Sequence, residues 1–207
     1  MELGTLKIGS AEIELASARF FGIYENYGAM TWYIELTGKN DDKEIQQEEN
    51  DEYESDAGNQ TKIQLNALDL GDIYLPDKLT GIKLKVPGEN QDEDENDLFF
   101  HAYDILGLER RPNSLNLSFL EYDPEKHTIR VEGSGELEKD EEENLPGESY
   151  QFNVTCEFRG INLVETSEED INLFIKEKLQ LNKNDLEIKL EESPAGLMCL
   201  VRFKPGS

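Results

Sequence analysis

Histidine, cysteine and tryptophan are nearly absent, with two, two and one among 207 residues. With only His101 and His127 to choose from, a histidine-centred enzyme would have almost no choice of base. His101 sits in an aromatic run three residues before Asp104, and His127 follows a turn signal where a side chain is solvated. Neither stands in a recognisable acid–base arrangement, so no catalytic residue is assigned. Cys156 and Cys199 each lie within an apolar run, where a free thiol behaves as a small hydrophobe. No cysteine or histidine pair has zinc-ligand spacing, and neither a metal nor a cofactor is expected.

Long apolar runs are also missing. The run Leu197-Met198-Cys199-Leu200-Val201 is among the longest, far short of the ~20 residues that span a bilayer as a helix. Met1 to Lys7 has neither a basic stretch followed by an apolar one nor a small-residue cleavage pattern. The expectation is a protein of the reducing cytoplasm, where a structural disulfide is rare. Cations are the third scarcity: 20 lysines and arginines face 46 acids, for a net charge of −26. That balance excludes nucleic acid and anionic membrane as partners and favours long-range attraction of a basic protein.

Signature loops are lacking too. There is no phosphate-cradling glycine loop or dinucleotide fingerprint. Gly133-Ser134-Gly135 does not match a nucleophile elbow. Asp92, Asp94 and Asn96 occupy the first three positions of a calcium loop, but Asp97 replaces its turn glycine and Tyr103 its bidentate acid. With 46 acids to rank, a two-carboxylate glycosidase site is not distinguishable.

What the chain does have is acid in three concentrated segments. Residues 39–60 carry nine acids and two lysines, 89–97 six acids and no base, and 136–148 seven acids and one lysine. These segments hold −19 of the −26, leaving an ordinary −7 for the remaining 163 residues. They lack apolar periodicity and are expected to be acidic loops of a single domain spanning 1–207.

Between them, apolar and polar residues alternate with the period of strands. Thr5 to Ile8 and Glu12 to Leu15 flank Gly9-Ser10 as a hairpin, and Phe20 to Tyr24 and Thr31 to Leu36 form a second. Lys62 to Leu65, Ile82 to Val86, Leu98 to Tyr103, Leu115 to Tyr122 and Thr128 to Val131 continue the pattern. Tyr150 to Arg159, the longest alternating stretch, belongs at the centre of a sheet. Ser167-Glu168-Glu169-Asp170 starts a helix that aligns Ile171, Phe174, Ile175 and Leu179 on one face. Leu186 to Leu190 and Leu197 to Phe203 close the chain as a last hairpin. Thr5 to Glu14 also resembles Thr128 to Glu138 with one insertion, a likeness that a duplicated half or strand chemistry alone would produce.

The expected fold is mostly β: an antiparallel β-sandwich or strongly curved sheet of about ten strands with one short C-terminal helix. Six aromatics crowd residues 20–33, and alternation buries about half of them. Tyr24, Tyr27 and Trp32 are the candidate partner-binding residues, as aromatic anchors within an acidic rim. The expected function is non-catalytic binding, of the inhibitor or immunity-protein type, directed at a basic protein partner. The alternative is a small enzyme or ligand carrier with a carboxylate-lined cleft.

Overall fold

The computed structural model describes residues 2–25, 28, 30–39, 62–86, 100–103, 109–110, 113–137, 139, 147–193 and 196–204. Thirteen strands among them join one sheet, and seven form a strongly curved open half-barrel. The curved-sheet form of the expected fold is the one adopted, with one short α-helix.

The sheet is organised around one strand, β11 (Glu148–Thr166). Its first half lies between β10 (Thr128–Leu137) and β1 (Gly4–Ile8). Its second half lies between β3 (Leu15–Tyr24), which runs parallel to it, and β13 (Gly196–Phe203). Outward from β10 come β9 (Leu115–Asp123) and β6 (Lys83–Val86), and outward from β3 come β4 (Met30–Gly38), β5 (Lys62–Asp69), β7 (Phe100–Tyr103) and β8 (Glu109–Arg110). The short β2 (Ala11–Ile13) pairs with β1, and β12 (Leu186–Ser193) pairs with β13.

Tyr150, Phe152, Val154, Cys156 and Phe158 of β11 point inward, and beyond Gly160 the inward positions are Ile161 and Leu163. The parity switches because β11 spends three steps between Phe158 and Ile161 while β3 spends two, pairing them with Phe20 and Gly22. This is a β-bulge. Gly160 makes it possible: its φ is +105°, and a Cβ there would lie 2.5 Å from the Val201 carbonyl oxygen. The bulge lets one strand keep its apolar face on the core through 19 residues.

Phe20 and Trp32 stack at 4.8 Å in the core, with Phe119 edge-on to Phe20 at 5.8 Å. The buried Trp32 indole N–H donates to the Ile73 carbonyl at 3.1 Å, so its polar atom is not left unpaired. The helix α1 (Glu168–Leu173) starts on a capping box between Ser167 and Asp170 and continues as a π-helix, Phe174–Leu179. Ile171, Phe174, Ile175 and Leu179 are all buried, as their spacing predicts. The likeness between Thr5–Glu14 and Thr128–Glu138 does not extend to structure. The first folds as the β1–β2 hairpin, while residues 128–137 form one unbroken strand.

Of the three acidic segments, 89–97 and most of 39–60 lie outside the described residues. Within 136–148, Glu136 and Leu137 belong to β10 and Glu148 to β11, so that segment is shorter than expected and residues 140–146 lie outside the described residues.

Candidate functional site

The aromatic crowd divides by strand parity. Phe20 and Trp32 face inward at 0% exposure, so Trp32 is a core residue with no surface to offer. The outward pair in this hairpin is Phe21 and Tyr33, directly opposed in register and stacked at 5.1 Å. Tyr24 is half-buried, its ring 4.4 Å from that of Phe174, and so serves to seat the helix on the sheet. Tyr27 lies outside the described residues. The three candidates therefore do not form one patch among the described residues.

A different place stands out, at the seam where β11 changes neighbours. The β10 ladder ends at Thr128↔Glu157, and the β13 ladder begins at Ile161↔Val201. Between Glu157 and Ile161 this edge of β11 has no ladder partner among the described residues. Phe158 N–H donates to the His127 carbonyl at 2.8 Å, and Arg202 Nε donates to the Arg159 carbonyl at 3.2 Å. The diverging strands leave a cleft of about 330 Å³, at the lower limit of small-ligand pockets.

Its walls follow from the seam. The β9–β10 turn contributes Lys126 and His127, the latter at a φ of 51°. His127 is thus half-buried against the cleft rather than fully solvated. Phe203, half-buried, stacks at 5.6 Å on the buried Phe158 and gives the cleft its aromatic side. Arg159, Arg202 and Lys204 complete a cationic rim, against which Glu157 and Glu187 are the acids. Glu157 pairs with Arg159 at 3.0 Å, and Glu187 stands opposite Arg202 in register. Lys126 pairs with Asp123 at 2.6 Å, which lowers the Asp123 carboxyl and raises the Lys126 amine relative to their ordinary values. The cleft is rimmed by cations, unlike the carboxylate-lined cleft expected of a carrier.

The outer face of the sheet is polar by contrast. Register aligns Lys85, Asn116, Ser134, Gln151 and Lys7 across five strands, and Lys83, Ser118, Glu132, Asn153 and Thr5 along the next row. Two shallow depressions of about 430 and 350 Å³ lie on this face. Neither has an aromatic side chain lying open on that face, since Phe152 and Tyr150 are buried beneath it. The His101 side chain lies outside the described residues, and among the described residues no cluster of three metal-ligating side chains occurs.

Sequence reasoning missed the seam because its residues come from positions 126–127, 157–160, 187 and 202–204. Its one local signal was Gly160, where the alternation of β11 changes parity. Comparison with family models, with curated proteins and with solved structures returns no match.

Proposed function

We propose that this chain is a non-catalytic, single-domain binding protein of the reducing cytoplasm, of the inhibitor or immunity-protein type, that engages a net basic protein partner. The supporting observation is where the described strands that flank the acid-rich segments end. By register, Val86, Leu137 and Glu148 lie at the end of the sheet where β11 begins, and Gly38 and Lys62 lie at the corresponding end of the β3–β4–β5 arm, level with about residues 153–155 of β11. These are five of the six strand ends that flank the three segments; Phe100 alone enters from farther along the sheet. These strand ends join segments carrying −19 to the described fold. Charge of that size attracts a basic partner over roughly a Debye length, about 8 Å at physiological salt. Cys156 and Cys199, both free and buried, suit a reducing compartment.

The test is to identify a partner by pull-down and then measure its association rate as a function of salt. The expected partner is net basic, with an on-rate that falls steeply between low and physiological ionic strength while the off-rate changes little. An acidic partner, or an on-rate indifferent to salt, refutes the reading. The seam cleft favours a ligand carrier as the second reading, but one with a cationic rim in place of the carboxylate lining expected.

A further inference from the structure

The seam cleft inverts the charge balance of the chain that forms it. Acids outnumber bases 46 to 20 in the whole sequence, yet its rim holds four lysines and arginines against two glutamates. The excess of two positive charges comes from Lys126, Arg202 and Lys204 against Glu187, since Glu157 and Arg159 of β11 offset each other.

One cation there is held in place. Arg202 is half-buried, and its Nε is fixed on the Arg159 carbonyl at 3.2 Å. No described hydrogen bond or ion pair involves its two terminal nitrogens. A guanidinium oriented in this way presents a planar fork that matches two oxygens of a carboxylate or phosphate, and little rotamer freedom remains to be lost on binding. Beside it, Phe203 is half-buried and stacks on Phe158, which Tyr122 meets edge-on at 6.2 Å. Cationic donors and the half-buried Phe203 ring, in a cleft of this volume, fit a ligand with an oxyanion at one end and a flat apolar body at the other.

We propose that the seam cleft binds a small organic oxyanion, a carboxylate or phosphate carried on a flat apolar body, with the Arg202 guanidinium as its anchor and the half-buried Phe203 as its aromatic contact. This site does not depend on the partner reading, because it takes ligands of the opposite sign.

The test uses the full chain labelled with 15N, titrated separately with phenyl phosphate, benzoate, inorganic phosphate and neutral benzyl alcohol. The amide signals of residues 157–160 and 201–204 are followed. Saturable shifts are expected with phenyl phosphate or benzoate, weaker ones with inorganic phosphate and none with benzyl alcohol. Saturation by phenyl phosphate alone assigns the phosphate, and saturation by benzoate alone the carboxylate. Arg202→Met is expected to weaken binding about tenfold or more. Because Arg202 also caps the Arg159 carbonyl, Arg159→Gln serves as a second variant that removes a cation and leaves that bond in place. Lys7→Gln, on the outer face of β1, removes the same charge elsewhere and is expected to leave affinity unchanged. Absence of saturation by both aromatic anions below about 10 mM overturns the proposal. So does unchanged affinity in both arginine variants, or a loss in Lys7→Gln equal to theirs.

Discussion

Replacing Gly135 with alanine tests the close approach that seals one end of the sheet. Gly135 of β10 stands opposite Tyr150 of β11, whose hydroxyl donates to the Ser114 carbonyl at 2.8 Å. A Cβ at position 135 would lie 1.9 Å from that carbonyl oxygen and 2.7 Å from the Tyr150 hydroxyl. The glycine is needed for space, since its φ is not among the positive ones. Nor does Ser114 have room to retreat freely. Its hydroxyl accepts from Glu136 N–H at 3.2 Å, and the Glu136 carbonyl accepts from Asn113 N–H at 2.6 Å.

The magnitudes set a sign. Overpacking costs about 1–3 kcal/mol, and losing the Tyr150 bond adds about 1 kcal/mol. Replacing a strand glycine gives back about 0.5–1 kcal/mol. A net loss of about 2 kcal/mol corresponds to a fall of about 4–8 °C in melting temperature for a chain of this size. Tyr150→Phe removes the hydroxyl without the collision and is expected to cost about 1–2 kcal/mol. The double variant should fall short of additivity by about 1 kcal/mol, because the same hydrogen bond is lost only once. Urea melts of the four proteins measure all these terms. If Gly135→Ala melts within about 1 °C of the parent, or above it, the contact is not the close-packed one described.

Other outcomes follow from burial and register. Thr37 pairs with Lys62, so the ends of the 39–61 segment already meet, and replacing residues 41–58 with a short Gly-Ser linker should lower the melting temperature by less than about 8 °C. Cys156 and Cys199 are buried, and burial pushes both thiols up, so a thiol reagent should label neither in the native protein and both after unfolding. Burial raises Cys199 from 9.0 to about 11 and Tyr122 from 10.0 to about 12. For both groups the folded value exceeds the unfolded one. Their contribution is complete below about pH 9 and is lost as pH rises toward 12, so the urea midpoint should fall progressively between about pH 9 and 12.

Most of the strands were legible because period-two alternation is a local property. Phe20 to Tyr24 against Thr31 to Leu36, and Leu186 to Leu190 against Leu197 to Phe203, announce both their strands and their hairpins. The helix was equally legible, since Ser167 and Asp170 form the capping box that their spacing suggests. The two-residue β8 is too short to carry any alternation. The choice among aromatics was harder. Alternation says that half of them are inside but leaves the parity of each strand open, and parity is set by what the other face meets. Trp32 is buried because Phe20, Phe158 and the Ile73 carbonyl meet it there, while its neighbour Tyr33 is turned outward onto Phe21.

The seam was illegible for a deeper reason. A strand's sequence records which of its faces is apolar, but its hydrogen-bonding edges leave no side-chain pattern. Tyr150 to Arg159 alternates in the same way whether one neighbour accompanies it throughout or two take turns along it. The cleft exists because β10 leaves β11 at Glu157 and β13 arrives at Ile161. That exchange is written in edge contacts between residues 29 and 40 positions apart, Thr128↔Glu157 and Ile161↔Val201. Gly160 records it indirectly, as the residue whose φ of +105° absorbs the switch in parity. The cations add the second trace. Lys126, Arg159, Arg202 and Lys204 are scattered in the sequence and unremarkable among 46 acids. They become a site only where the two ladders part.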